Sequence, residues 1–407
     1  MQLLKDKNIL VGVTGSIAIY KTLELIRLYK KTGANVKVIM TQASQKFITP
    51  LSFETISQND ILDDTNEDWS TKTNNNHIAI GKWADIFVIA PCSVNTINKL
   101  AQGYGDNILL QSALAYPKIK LIAPAANTNM IQNPITKDNL ANLKKANYKL
   151  IATTTKELAC KDIGDGAMAE VEDIFNITAK ELLKDDYWNN RSVVLNGGGT
   201  IEKIDDVRYI SNFSSGKMAN SLATALYYKG ANVTLITTSN LNTPKQIKTI
   251  KVKSTLEMLK NITTELKKAQ ANSKKQVFFF GVAAISDYIP KVVSKGKLKK
   301  DEIGKEWNLK LKKNIDILDS IDKSMIYSIG FKAEMDKNKA FENAKLMLKN
   351  KNLDGVCLNI LDEKNSFGSN TNKIEFINKN ETISLKEGSK LFVSFELLNT
   401  IKKVFND

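Results

Sequence analysis

The chain predicts an α/β fold of two successive parallel-sheet units, and three observations predict it. Apolar runs of strand length alternate with helical patterns from the N-terminus, the alternation pauses near residue 186 and restarts, and each start is a strand leading through a glycine-bearing turn into a helix. In the first unit the strands are expected at Asn8–Val13, Asn35–Met40, Asp85–Ala90 and Lys120–Ala123, with helices over Ile17–Lys31, Ser93–Leu100, Asn107–Leu114 and Ile135–Lys145. That rhythm calls for a parallel sheet covered on both faces. Its ligand site is expected in the loops at the C-terminal strand ends, Thr14–Ser16, Thr41–Ser44, Pro91–Asn95 and Pro124–Met130, all small and polar. The second unit restarts with strand Ser192–Leu195, helix Met218–Lys229 and strand Asn232–Ile236. Further strands are expected at Gln276–Gly281, Met325–Phe331, Asp354–Asn359 and Lys373–Ile377, with helices over Thr255–Gln270, Lys339–Lys349 and Ser389–Val404. A helix ending in charged and amide residues puts the division near Asp186–Arg191, giving domains 1–188 and 189–407.

Composition narrows the class. A chain of 407 residues that is 43% hydrophobic and 25% charged, with no run of eighteen apolar residues and no cleavable apolar leader, predicts a soluble globular protein of the cytoplasm. Cys92, Cys160 and Cys357 are far apart and form no CxxC pair, so neither a disulfide framework nor a zinc site is indicated. Charge is unevenly spread: residues 1–189 hold 21 basic and 20 acidic side chains, whereas residues 190–407 hold 37 and 23. The second half is therefore suited to anionic ligands. No recognition helix, zinc finger or RNA-binding aromatic pattern accompanies its lysines, which leaves small phosphorylated molecules ahead of nucleic acid.

Asn196 to Asn220 reads NGGGTIEKIDDVRYISNFSSGKMAN. Three glycines after a strand let backbone N–H groups approach a phosphate, and Ser214–Ser215–Gly216–Lys217 offers hydroxyls, amides and an ammonium where a helix begins. The segment is an anion cradle, though it has neither the GxxxxGK[ST] nor the GxGxxG spacing. A structural turn is the alternative. In the first half His77 is the sole histidine, so any imidazole chemistry belongs to it.

The order GGxTxExIDxVRxISNxSSGKM closely resembles the nucleotide-binding opening of bacterial phosphopantothenate–cysteine ligases. GxTGSIAxYK at Gly12–Lys21, HIxI at His77–Ile80, PxSxNT at Pro91–Thr96 and APAxNTNM at Ala123–Met130 resemble the FMN-binding phosphopantothenoylcysteine decarboxylases. In this order the two sets resemble the bifunctional coenzyme A biosynthesis family over nearly the whole chain. The resemblance implies two Rossmann-like domains, a flavodoxin-like flavoprotein sheet followed by a nucleotide-binding α/β domain. It also implies FMN as cofactor, CTP as co-substrate with Mg²⁺ carried mainly by the phosphates, and 4′-phosphopantothenate and L-cysteine as substrates. Neither nucleic acid nor membrane is an implied partner. Trimeric contacts between flavoprotein domains, with FMN near a subunit interface, and dimeric contacts between ligase domains are implied as well.

Site residues follow by position. Gly15, Ser16, Thr41, Ser44, Ser93 and Asn95 are the candidates for FMN contact; His77 and Cys160 are the catalytic candidates, and Asn127 and Met130 those for substrate. Decarboxylating an ordinary cysteine carboxylate leaves no electron sink, so the resemblance implies oxidation of the thiol to a thioaldehyde-like species before carbon dioxide departs. Cys160 would then donate a proton. Departures from the family pattern are Ile80 for leucine, Ala126 for methionine, Lys161 for glycine and Ala167 for arginine. In the second half AAISDYIP and the cluster Lys297, Lys299, Lys300 match the ligase pattern, as do NIDIL at Asn314–Leu318 and GFKAE at Gly330–Glu334. Lys297 and Asn212 are the catalytic candidates there. Arg208, Ala283, Asp287, Ile315, Asp316, Ile317, Leu318, Phe331, Lys345 and Lys349 are the candidates for nucleotide and substrate contact. A decarboxylase for another cysteine-terminated substrate and a non-catalytic flavin- or nucleotide-binding regulator are the competing readings.

Overall fold

A computed structural model describes residues 2–70, 75–157, 161, 163–299, 301, 304–362 and 368–405. The chain forms two compact units, Met1–Leu183 and Lys184–Asp407.

Unit one contains β1 (Asn8–Val13), α1 (Tyr20–Lys31), β2 (Asn35–Met40), α2 (Gln42–Gln45), α3 (Pro50–Ser57), α4 (His77–Trp83) and β3 (Ile86–Cys92). It continues with α5 (Val94–Gln102), α6 (Ile108–Ala115), β4 (Lys120–Pro124), α7 (Thr128–Gln132), α8 (Pro134–Lys145), β5 (Tyr148–Leu150), a hairpin of β6 (Thr154–Glu157) and β7 (Ile163–Ala167), and α9 (Val171–Leu183). The five main strands are parallel in the order β2-β1-β3-β4-β5. β3 is buried along its whole length, as expected of an unbroken apolar run at the sheet centre. The order reverses between β1 and β3, so their following helices lie on opposite faces and a crevice opens between the strand ends. The expected helix from Ile17 starts as a 3-10 turn, Ile17–Ile19, before α1.

Unit two contains β8 (Ser192–Gly197), β9 (Glu202–Lys203), β10 (Tyr209–Ile210), α10 (Lys217–Tyr228), β11 (Asn232–Thr237), β12 (Lys248–Lys251), α11 (Thr255–Asn272), β13 (Val277–Gly281), β14 (Tyr288–Pro290) and β15 (Leu311–Lys313). There follow α12 (Ile317–Ser320), β16 (Ile326–Glu334), α13 (Ala340–Asn350), β17 (Gly355–Ile360), β18 (Thr371–Asn372), β19 (Glu375–Ile377), β20 (Thr382–Ser384), β21 (Gly388–Ser389) and α14 (Lys390–Val404). Its sheet runs β12-β11-β8-β13-β16-β17-β19-β20, parallel up to β17 and antiparallel beyond. Here the order reverses between β8 and β13. Ribbons β9–β10 and β14–β15 stand outside the sheet.

The division falls a few residues before the expected 188/189. Trp188 is fully buried in unit two with its indole N–H donating to Leu398 O at 3.3 Å, and Tyr187 OH donates to Phe405 O at 2.8 Å. These aromatics anchor the start of the second unit, whereas the sequence placed them at the end of the first.

Gly197 ends β8 where α10 crosses it, and a Cβ there would stand 2.4 Å from Ala219 Cβ. Gly197→Ala is therefore expected to destabilise unit two by about 1–3 kcal/mol through overpacking. A urea midpoint equal to the parent's, followed by circular dichroism, would show that α10 yields without cost.

Candidate active sites

In unit one the chain leaving β1 is stapled to the chain leaving β3. Thr14 Oγ1 donates to Pro91 O at 2.8 Å and accepts from Ser93 N at 2.9 Å. The hydroxyl thus holds the two walls of the switch-point crevice at fixed separation. Ser16 accepts from Ala18 N and Ser93 from Thr96 N, so both serines cap helical turns whose first residues include no acid. Such ends favour an anion.

The crevice has a volume of about 1040 Å³. Gly15, Ser16, Thr41, Ser93 and Asn95 line it, with Asn127 and Met130 from the β4–α7 turn. One wall is the hairpin β6–β7, seated directly on that turn: a Cβ on Gly166 would meet Ala126 O at 2.0 Å, and Ala126 N donates to Gly166 O at 2.9 Å. Lys21 and Lys156 Nζ both lie 3.0 Å from the Glu170 carboxylate, tying α1 to the hairpin. The Lys21 hydrogen bond, assisted by Lys156, holds the Glu170 carboxyl below its ordinary range, while burial pushes the Lys21 ammonium down.

In unit two the loop after β13 is pinned by side-chain amides. Asn196 Oδ1 accepts from Val282 N at 2.7 Å and Ala283 N at 3.0 Å, Asn212 Nδ2 donates to Ile285 O at 2.9 Å, and Asn314 Nδ2 donates to Ser286 O at 2.7 Å. Beneath them Glu202 accepts from the Thr255 hydroxyl at 2.7 Å, and that hydroxyl accepts from Asn314 at 2.9 Å. A cleft of about 820 Å³ opens above this network. Polar groups of Asn212, Asp287 and Asp316 share it with the apolar side chains of Ile317, Leu318 and Phe331. Asp316 caps α12 and pairs with Lys351 at 2.5 Å.

The segment Ser294–Leu298 is fastened from below by Asp205 and Asp206. Leu298 N donates to Asp205 at 3.2 Å, Gly296 N to Asp206 at 2.8 Å, and Arg208 joins Asp205 to Leu298 O through its guanidinium, which also lies 5.0 Å from the Trp307 ring centroid. Burial would raise the Asp205 pKa, but the N–H groups of Val207, Arg208 and Leu298 and the guanidinium together hold it well below the usual carboxylate range.

The Flavoprotein family matches residues 2–183, and the DNA/pantothenate metabolism flavoprotein C-terminal domain matches residues 188–405. The coenzyme A biosynthesis bifunctional protein CoaBC of Borreliella burgdorferi is 38% identical over 402 residues, covering 98% of this chain and 99% of that protein. The proteins of the same name from Haemophilus influenzae and Escherichia coli are 37% and 34% identical, covering 98% and 91% of this chain and 98% and 90% of theirs. The chain belongs to the bifunctional coenzyme A biosynthesis family.

Within this family member the crevice of unit one gathers Gly15, Ser16, Thr41, Ser93, Asn95, Asn127 and Met130, but not Ser44 or His77. Ser44 is fully buried with its hydroxyl donating to Thr41 O at 2.6 Å, so it shapes the β2–α2 turn from inside. His77 is the first residue of α4, which the sequence did not predict because its cap, Asn76, sits in a polar run. Its Nδ1 lies 2.7 Å from Glu67 Oε1 and its ring stands edge-on to Trp69 at 5.3 Å. Glu67 was missed: ten residues upstream of His77, it falls in a loop without periodicity. Cys160 and Lys300 lie outside the described residues. Lys161, where glycine is usual, has a left-handed φ of 67°, and Ala167 and Ala126 both face the crevice.

In unit two Asn212, Ala283, Asp287, Ile315, Asp316, Ile317, Leu318 and Phe331 all line the large cleft. Lys345 and Lys349 do not. α13 packs Ala340, Ala344 and Leu348 inward and turns Asn343 and Met347 to the cleft, so the lysine in register is Lys351. Lys297 is exposed on the fastened loop, outside the cleft lining, and Arg208 is spent on Asp205 and Leu298 rather than on the cleft. Asn196 belongs to the glycine-rich segment, yet only its contact across two strands shows what its amide holds.

A carboxyl held lower in the folded than in the unfolded state, for which about 3.9 is ordinary, stabilises above that value and loses its contribution as pH falls through the folded pKa. Asp205→Asn is thus expected to lower Tm at pH 7, and the gap to the parent should close progressively below about pH 4. An unchanged gap down to pH 3 would refute the ionised carboxylate as the anchor of this loop.

Proposed function

We propose that the chain performs two successive steps of coenzyme A formation in the cytoplasm. Unit two condenses 4′-phosphopantothenate with L-cysteine at the expense of CTP, and unit one decarboxylates the resulting 4′-phosphopantothenoylcysteine to 4′-phosphopantetheine. The carrying observation is the collinear full-length similarity to bifunctional relatives, at 38% identity over 98% of the chain, in a protein with a crevice at the switch point of each sheet.

FMN fits the first crevice on its own features. The volume of about 1040 Å³ suits a phosphorylated ring system together with substrate, two serine-capped helical turns suit its phosphate, and Ile17, Ala18, Val94 and Met130 supply apolar wall. Bound FMN would supply the two-electron sink that lets carbon dioxide leave. Gly15, Ser16 and Ser93 would hold the phosphate, Thr41 and Asn95 the remaining polar edge, and Asn127 the substrate at the hairpin. Cys160 is assigned as proton donor. His77, oriented by Glu67, is assigned as base or positioning group. His77 stands outside the crevice of its own chain, which supports a homo-oligomer in which flavoprotein units share sites; the assembly we propose is trimeric through unit one and dimeric through unit two.

In unit two a carboxylate oxygen of phosphopantothenate attacks the α-phosphorus of CTP, pyrophosphate leaves, and the cysteine amine then attacks the acyl carbon and releases CMP. Lys297 would neutralise charge at the α-phosphate, Mg²⁺ that on the phosphate chain, and Asn212 would hold the acyl-cytidylate. Asp205 and Arg208 act as positioning residues, since they fasten the loop that presents Lys297.

Full-length protein incubated with phosphopantothenate, cysteine and each nucleotide in turn, with mass detection of both products, tests the reading. Lys297→Gln should reduce ligation by at least about a hundredfold, the usual scale for an electrostatic transition-state contact, and leave decarboxylation intact. Cys160→Ser should do the reverse. Equal damage to both reactions by either substitution in folded protein would overturn this division of labour, and a colourless protein that does not take up FMN would overturn the assignment of unit one.

A further inference from the structure

The hairpin β6–β7 that walls the crevice of unit one is not part of the five-stranded sheet. Two strands alone are marginally stable in water, so the hairpin's position is set by what it rests on. The β4–α7 turn supports β7: Ala126 N donates to Gly166 O at 2.9 Å, Gln132 Nε2 donates to Asp165 Oδ2 at 2.7 Å, and a Cβ on Gly164 would stand 1.8 Å from Thr128 Oγ1. β6, beyond its pairing with β7, is held by charge. Lys156 of β6 and Lys21 of α1 reach different oxygens of the Glu170 carboxylate, each at 3.0 Å. Glu170 has a firm base, since its carbonyl accepts from Asp173 N at 3.0 Å and Ile174 N at 3.1 Å where α9 begins. α9 is in turn tied to α1 by the hydroxyls of Tyr29 and Thr178, 2.7 Å apart.

Both lysines line the crevice, and among the described residues of the hairpin Lys156 is the one cation that does so; Ala167, where arginine is the usual residue, contributes none. The Lys21 side chain is 9% exposed, whereas those of Lys156 and Glu170 are each 41% exposed. Two ammoniums drawn to one place repel unless a carboxylate lies between them, and of the two it is Lys156, on the hairpin, that has room to withdraw and take β6 with it. Glu157 also lines the crevice, so Lys21, Lys156, Glu157 and Glu170 together carry no net charge. The cluster therefore acts through position rather than by attracting an anion.

We propose that Glu170 and Lys156 are positioning residues of the decarboxylase unit: their ion pair, completed by Lys21, keeps β6 and the crevice wall it forms seated before substrate arrives. The assignment rests on the decarboxylase reading above. A binding wall that is seated only part of the time lowers the apparent affinity by that fraction and leaves the rate of the bound complex unchanged. Loss of the pair is then felt in KM for 4′-phosphopantothenoylcysteine and not in kcat.

Full-length parent, K156Q, K156R and E170Q, each loaded with FMN, are compared by decarboxylation kinetics and by calorimetric titration with the product, 4′-phosphopantetheine. K156Q is expected to raise KM about two- to fivefold, the range of a half-exposed ion pair, and E170Q at least about fivefold, because it strips the charged partner from Lys21 as well. Product affinity should fall by the same factors while kcat, flavin content and ligation stay at parental values, and K156R should keep the parental KM. Parental KM and product affinity in both glutamine variants, or a loss that falls on kcat or flavin content instead, would overturn the positioning role while leaving the decarboxylase reading standing. A parent that releases no carbon dioxide from 4′-phosphopantothenoylcysteine would overturn the decarboxylase reading and the positioning role with it.

Discussion

Both clefts exist because neighbouring parallel strands send their chains to opposite faces of the sheet. Between β1 and β3, and again between β8 and β13, the outgoing loops diverge and leave backbone N–H groups and short polar side chains without a covering helix. One side chain bridges the strand ends at each opening: Thr14 ties the β1 loop to the β3 loop, and Asn196 ties the end of β8 to the chain leaving β13, where Asn212 and Asn314 hold the same loop further along.

The two units use this crevice differently. Unit one walls it with a hairpin whose Gly166 allows backbone-to-backbone contact with the β4–α7 turn. Unit two surrounds its cleft with side-chain amides and, at Lys313, Lys332 and Lys351, ammoniums, which suits anionic ligands. The surplus of basic residues in the second half has a place in this arrangement: Lys313, Lys332 and Lys351 line the cleft.

Parallel strands were legible because they are buried on both faces and so appear as unbroken apolar runs; β1, β2 and β13 lie where their runs do. The ribbons β9–β10 and β14–β15 were not, since two or three residues carry no period. The register of α13 was ambiguous for a related reason. Its lysines alternate around the helix, and only the packing of Ala340, Ala344 and Leu348 against the sheet decides that Lys351 turns to the cleft.

Residue order alone determined the two-unit α/β architecture, the loops that line the clefts and the family, because these depend on local periodicity and on short polar motifs confined to strand ends. Tertiary structure decided which members of those motifs face a cavity. Ser44 turns into the protein, Arg208 serves Asp205, and His77 leans on Glu67. Each of those outcomes is set by where a helix or loop packs after the chain has closed on itself, and a side chain's direction is not written in its neighbours along the sequence.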